Sequence, residues 1–296
     1  MSVRAQFAAD ETGLTAGRFL AAAAGRLEAA GVEGARHDAR LLLAAALGVG
    51  PEALLARPER PLSPDEQAHA ETLIARRAER EPVARILGTR EFWGLEFKVT
   101  PAVLDPRPDS ETLVRAVLDR IPDPDAPLEI LDLGTGSGCL LLALLSKLPG
   151  ARGLGIDISE AAIEVARENA GILGFSDRAG FQKGSWGADL EGSWQVIVNN
   201  PPYIKDTEFE GLAPEVARHD PRLALAGGPD GLDAYRALLP QAARLLAPGG
   251  FLALEVGIDQ QEAVEALVKS ADFAPLGRVR DLGGIERCLV VSFGKD

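Results

Sequence analysis

The 296 residues are 46% hydrophobic and 25% charged, the balance of an ordinary soluble globular protein with length for about two domains. The formal net charge of −13 is uneven: residues 1–88 hold 11 basic against 12 acidic side chains, so nearly all the excess acidity belongs to the remainder. Such a surface repels phosphate backbones and counts against a nucleic-acid substrate, although it does not exclude a local basic patch.

The first residues lack a basic segment followed by an apolar core, so no signal peptide is expected. No apolar run of about 20 residues exists, so no membrane span is expected. Cys139 and Cys288 are too few and too far apart for a disulfide framework, which places the chain in a reducing cytoplasm. His37, His69 and His219 are scattered without ligand spacing, and no metal is expected.

Residues 1–88 are rich in Ala, Leu, Arg and Glu and poor in β-branched residues, which favours helices. Helices are predicted over about 15–30, ending at Gly31, and about 35–47, ending at Gly48. Pro51 can open a short third helix. Ser63-Pro64-Asp65-Glu66 has the form of a capping box, with Ser63 as N-cap and Glu66 reaching back, and that helix runs to Arg80. The region is a small bundle of four or five helices. It carries no catalytic constellation and reads equally as a stabilising appendage or a recognition module.

Residues 89–127 form a bridge. Glu91 to Val99 alternate around Gly94, as a β-hairpin does. Pro106-Arg107-Pro108-Asp109-Ser110-Glu111 leads into an amphipathic helix bearing Leu113, Val114, Val117 and Leu118, with Asp109 or Ser110 as its cap. Arg107 and Glu111 are either a solvated cap pair or the rim of a pocket.

From 128 to 296 strand and helix patterns alternate, which implies a mostly parallel sheet covered on both faces. Leu128–Leu133 is a strand ending in Gly134-Thr135-Gly136-Ser137-Gly138, followed by a helix in which Cys139 is a small core residue. Residues 153–157 are a second strand ending in Asp157, with a helix over 159–173. A short strand lies near Phe181, and another runs through Val198. A helix over 232–246 is closed by Ala247-Pro248-Gly249-Gly250. A strand over 251–256, a helix over 260–270 and strands near 276–280 and 288–293 complete the domain. Ligands of such sheets bind beyond the carboxyl ends of the strands. A glycine loop there, with an acid about twenty residues on, is the spacing for a nucleotide-like ligand: loop backbone near the ligand, Asp157 on a ribose. Gly134, Gly136 and Gly138 do not follow the dinucleotide pattern, since Cys139 stands where its third glycine belongs. NAD nevertheless stays open on these residues alone.

Asn200-Pro201-Pro202-Tyr203 follows the strand through Val198. Two prolines carry no amide hydrogens, so the strand stops abruptly and holds one amide and one ring on a stiff segment. That suits gripping a planar amide or amine: oxygens accept its N–H groups while the ring covers its face. A proline-terminated strand with an Asn in the turn explains the same residues.

Asp132 to Gly138 resemble the first motif of Rossmann-like S-adenosylmethionine methyltransferases, and Asn200 to Tyr203 resemble the motif of those that methylate planar nitrogen. Together with Phe92-Trp93-Gly94, the segment 106–111 and the helical N-terminal region, the chain resembles the release-factor glutamine methyltransferases (the HemK/PrmC family) over nearly its whole length. The resemblance implies an α/β, Rossmann-like seven-stranded methyltransferase sheet at 128–296, a small helical-bundle domain at 1–88 that contacts the substrate, and a linking β-hairpin. It implies methyl transfer from S-adenosylmethionine to the side-chain amide nitrogen of the glutamine in the Gly-Gly-Gln tip of class I peptide-chain release factors. Gly134, Thr135, Gly136, Ser137 and Gly138 then hold the methionine end of the cofactor and Asp157 its ribose. Trp186 lies at the adenine, unless it is a buried structural tryptophan. Asn200, Pro201, Pro202 and Tyr203 hold the glutamine, with Asn200 also against the cofactor, and Asn200, Pro201 and Tyr203 carry the chemistry. Rival substrates of the same pocket are a glutamine of a ribosomal protein and a nucleobase amine. A non-catalytic cofactor-binding protein is a further alternative.

Overall fold

The computed structural model describes residues 14–294; the first thirteen residues of the sequence-predicted helical domain, and the last two of the chain, lie outside the described residues. The chain divides into two compact units with the boundary between Leu87 and Gly88.

The first unit is helical: α1 (Ala16–Ala29), α2 (Ala35–Leu47), α3 (Pro51–Ala56), α4 (Pro64–Ala78) and α5 (Val83–Leu87). Thr15 caps α1 by accepting from the Arg18 amide, and Ser63 and Glu66 form the reciprocal capping box of α4. After Glu81-Pro82 the chain forms a fifth short helix. The Pro82 carbonyl accepts from the Arg85 and Ile86 amides and opens α5, since a proline can precede a helix that it could not continue. Phe19, Leu27, Leu42, Leu43, Leu54 and Ile74 make this unit's own core.

The second unit opens with a hairpin, β1 (Thr89–Phe92) and β2 (Leu95–Lys98). Its two turn residues, Trp93 and Gly94, both take positive φ (55° and 73°), the type I′ geometry that matches strand twist. The hairpin belongs to this unit: Asn169 accepts from the Lys98 amide at 2.7 Å and donates to the Lys98 carbonyl at 3.1 Å and to the Ser137 carbonyl at 2.9 Å. Asn169 is fully buried on α8 (Glu160–Ile172) and so ties the hairpin to the glycine loop.

Seven strands form one sheet: β3 (Glu129–Leu133), β4 (Arg152–Asp157), β5 (Ala179–Lys183), β6 (Trp194–Asn199), β7 (Leu246–Glu255), β8 (Phe273–Arg280) and β9 (Glu286–Phe293). Their order is β5-β4-β3-β6-β7-β9-β8. Neighbours from β5 through β7 pair parallel, and β9 runs antiparallel to both β7 and β8. The pleat sends Ile130, Val196, Val198 and Ala253 to the face covered by α6 (Glu111–Leu118), α7 (Cys139–Lys147) and α8. Leu131, Leu133, Ile197 and Leu252 face α10 (Asp233–Leu245) and α11 (Gln261–Ser270). Chain order reverses between β3 and β6, so the carboxyl ends of these two strands flank the switch point.

Three local expectations change. Residues 247–250 do not simply close a helix; they belong to β7, whose Leu246 pairs with Trp194 before a register shift leads to the Val196–Phe251 pair. Ser110 does not cap α6 through its side chain, because Pro108–Ser110 form a 3₁₀ turn and the hydroxyl points elsewhere. Residues 204–231, to which the sequence pattern assigns no element, fold into a 3₁₀ turn (Asp206–Gly211), α9 (Pro214–His219) and a second 3₁₀ turn (Arg222–Ala224). Among the described residues, no helix is long and apolar enough to cross a membrane.

Candidate active site

A cavity of about 430 Å³ opens at the carboxyl edge of the sheet, within the size range of small-ligand sites. Gly134, Thr135, Gly136 and Ser137 line it together with Asp157, Trp186, Asn200 and Pro202. Gly138, Pro201 and Tyr203 are not among its lining residues. Gly138 is the N-cap of α7 at φ +81°, packed so closely that a Cβ there meets Ala166 and Phe181 at 3.3 Å. Cys139, expected in the core, is partly exposed on the cavity wall.

The glycine loop is held by the adjoining strand. The Gly134 and Thr135 amides donate to the Ile156 carbonyl at 2.8 and 2.9 Å. Asp157 then completes the frame: its carboxylate accepts from the Gly136 amide and the Ser159 amide, both at 2.9 Å. Each carboxylate oxygen keeps further lone-pair capacity for ligand hydroxyls. Beneath the loop, the Thr135 hydroxyl donates to the fully buried Asp132 at 2.7 Å. Burial pushes the Asp132 carboxyl up to about 7, with the Thr135 bond opposing. An acid whose folded-state value is raised loses its stabilising contribution as pH rises from its unfolded value, near 4, through about 7. Asp132→Asn removes that penalty. The variant should gain about 3 kcal/mol over wild type in urea unfolding between pH 5 and pH 8; an equal difference at both pH values contradicts this.

Trp186 is half-buried, with φ at +50°, an uncommon conformation for a bulky residue. Its ring packs against the core cluster of Leu131, Leu133 and Ile156 and also borders the cavity.

The segment after β6 is fixed from several sides. The buried Asn199 amide nitrogen donates to the Leu133 carbonyl, joining the ends of β6 and β3. Asn200 Nδ2 donates to Ser110 Oγ at 3.0 Å, and the Ser110 hydroxyl donates to Glu255 Oε2 at 2.5 Å. The Tyr203 hydroxyl lies 3.4 Å from Glu255 Oε1. Burial pushes the Glu255 carboxyl up to about 7; the Ser110 bond and Arg287 oppose it, and Asp109 reinforces it. Burial also raises the Tyr203 phenol above its ordinary value, so that group is neutral. The Tyr203 carbonyl accepts from Gln260 Nε2 at 3.0 Å, and Ile204 exchanges backbone bonds with Leu225 and Gly227. Gly227 is required by close approach: a Cβ there falls 2.8 Å from the Cα atoms of Tyr203 and Gly231. Gly227→Ala should shift the Tyr203 backbone and destabilise the protein by about 1–3 kcal/mol, measured by thermal unfolding.

Two residues of this site, Ser110 and Glu255, were not legible as such. Arg107 lines the cavity and pairs with the buried Asp220 of the 204–231 segment, settling its two readings in favour of the pocket. Glu111 instead accepts from the Trp93 amide at 2.8 Å. Ser110 and Glu255 looked like a helix cap and an ordinary strand end. Only the proximity of Ser110 to the Pro-Arg-Pro segment hinted at a pocket.

A model described as the PrmC N-terminal domain matches residues 18–88, and one described as a methyltransferase domain matches residues 124–274. The chain is 50% identical over 287 residues to the release factor glutamine methyltransferase of Rhodospirillum rubrum, covering 95% of this chain and 86% of that protein. The proteins of the same description from Bradyrhizobium diazoefficiens and Caulobacter vibrioides are 49% and 45% identical, over 90% and 94% of this chain and 91% and 96% of theirs. With identities of this size along nearly the full length of both partners, and a glycine-loop cavity at the switch point of a seven-stranded sheet, the chain belongs to the release factor glutamine methyltransferase family.

Proposed function

We propose that this enzyme transfers a methyl group from S-adenosylmethionine to the side-chain amide nitrogen of the glutamine in the Gly-Gly-Gln motif of class I peptide-chain release factors. The observation that carries the reading is that the Asn200 amide and the glycine loop border one cavity.

The residues present fit S-adenosylmethionine. Asp157 has acceptor capacity for vicinal hydroxyls, the half-buried Trp186 ring offers a flat apolar face to a purine, and the glycine loop brings backbone close to a small charged end. When bound, the cofactor supplies an electrophilic methyl on a sulfonium leaving group. The chain's task is positioning, because an amide nitrogen is a poor nucleophile whose lone pair is delocalised into its carbonyl. Asn200 Oδ1 and the Pro201 carbonyl accept the two amide N–H groups of the glutamine, which orients the nitrogen and stabilises positive charge developing on it. Tyr203 packs on the amide plane, and its neutral phenol adds no charge. The proton leaves to water after transfer. The helical unit serves as the docking module for the body of the release factor, and the cytoplasm is the compartment that fits two free cysteines and this substrate.

The test is incubation with labelled S-adenosylmethionine and purified release factor, ribosomal proteins and DNA in parallel. Label is expected on the Gly-Gly-Gln glutamine of the release factor, located by peptide mass spectrometry. Label on DNA alone, or on a ribosomal protein alone, overturns the assignment. Removing residues 1–88 is expected to reduce activity on intact release factor far more than on a short Gly-Gly-Gln peptide; equal losses argue that this unit is only structural.

A further inference from the structure

We propose that Ser110 and Glu255 are positioning residues that lock the Asn200 side-chain amide in one of its two orientations, with the oxygen as the end available to a substrate N–H. The inference rests on the reading of Asn200 as the residue that holds the substrate amide.

The argument is one of hydrogen counting. A serine hydroxyl has one hydrogen. Here it is committed to Glu255 Oε2 at 2.5 Å, in a charge-assisted bond when the carboxyl is ionised. Toward Asn200, 3.0 Å away, Ser110 Oγ can then only accept. Only the Nδ2 end of an asparagine donates. The orientation of the amide is therefore dictated by Glu255, whichever way the two ends are drawn. Ser110 is 3% and Glu255 2% exposed, so water does not compete for these bonds. Asn200 itself is half-buried on the cavity wall, where its second end is accessible.

The lock depends on the charge state of Glu255. A protonated carboxyl donates to Ser110 Oγ, leaving the serine hydrogen free to donate to Asn200 Oδ1 as an alternative to the oxygen accepting from Nδ2, so both amide orientations are allowed, and the flipped amide presents N–H groups to a substrate that needs an acceptor. The groups that face Glu255 are Asp109 and Ser110 of the 3₁₀ turn, Tyr203 after β6, and Arg287 of β9. The Tyr235 hydroxyl on α10 donates to its backbone carbonyl at 2.9 Å, and the thiols of Cys139 and Cys288 sense its charge. Arg287 also pairs with Asp109 at 3.3 Å and Asp281 at 3.3 Å, so its charge is shared among three acids. Turnover should rise with pH as Glu255 ionises near 7.

The experiment compares wild type, Ser110→Ala, Ser110→Thr and Glu255→Gln on intact release factor at saturating S-adenosylmethionine from pH 5.5 to 8.5, with cofactor affinity measured by calorimetry. Ser110→Ala is expected to lower kcat by about 10- to 100-fold, the scale of loss for a misplaced reacting group, with cofactor affinity and the KM for release factor little changed. Ser110→Thr keeps the hydroxyl and should restore most of the rate. Wild-type kcat should rise through about pH 7, and Glu255→Gln, which does not titrate, should flatten that step. Asp132 is present in both proteins, so the difference between the two profiles isolates Glu255. A Ser110→Ala enzyme with more than half the wild-type kcat overturns the lock, as does one that loses cofactor binding in step with turnover. If Ser110→Ala does not fold, the Glu255→Gln profile decides: an unchanged pH step rejects the proposal. Wild type that places no label on the release factor sinks the functional reading beneath it, whereas an active wild type with unimpaired variants sinks the lock alone.

Discussion

Asn200→Ala is expected to lower turnover on release factor by about 10²- to 10³-fold, while S-adenosylmethionine affinity weakens by no more than about tenfold. The asymmetry follows from what the side chain touches. Asn200 borders the cavity, yet its bonded partner is Ser110, not the glycine loop or Asp157. Its removal leaves the loop's own bonds to the Ile156 carbonyl and to Asp157 intact. What disappears is an acceptor that matters most when positive charge builds on the substrate nitrogen, so the loss should fall on kcat. Rapid-quench turnover at saturating cofactor, beside calorimetric binding, separates the two quantities. An Asn200→Ala enzyme that binds cofactor poorly but turns over normally once saturated would falsify the assigned role.

Asp157→Ala is expected to do the reverse. Its carboxylate holds the Gly136 amide with one oxygen and the Ser159 amide with the other, so the loop and the start of α8 are positioned by a single side chain. Truncation removes the acceptor proposed for two ribose hydroxyls and leaves two backbone amides without their partner. Hydrogen bonds to a charged group are each worth about 1.5–3 kcal/mol, which makes a weakening of cofactor binding by about 100-fold or more a reasonable expectation. At saturating cofactor, kcat should remain within about tenfold of wild type, since the Asn200 segment is built on other contacts. Unaltered cofactor affinity in this variant removes Asp157 from the cofactor site.

Much of the second unit was readable because its signals are local. The run 128–133 followed by three spaced glycines, the acid closing the next strand, and the two prolines after β6 each encode a strand end through backbone chemistry that needs no distant partner. The Ser63 capping box was readable for the same reason. The functional contacts that escaped are those made across long stretches of chain. Ser110 has the composition of a helix cap, and nothing within ten residues of it shows that its hydroxyl faces the end of β7. Asn169 lies within an ordinary helical pattern, although all its side-chain bonds go to the hairpin and the glycine loop. The segment 204–231 has no periodicity, and its short helical turns are held by the backbone bonds of Ile204 to Leu225 and Gly227 and by the Arg107–Asp220 pair. Pattern reading finds elements whose spacing repeats. It does not find a polar residue whose partner is set by how the sheet is ordered. For the same reason β7 was read too short: its first residues are strand only because β6 lies beside them.

The bond between Ser110 and Glu255 joins residues 145 apart. The glycine loop, Asp157 and the Asn200 segment have all been synthesised by residue 203, but the carboxylate that orients the amide arrives with the last residue of β7. Closing so long a loop is among the slower events in assembling a sheet. Loosening of β7 in the mature protein would part Glu255 from Ser110, so turnover, beside cofactor retention, is the measure of an intact enzyme.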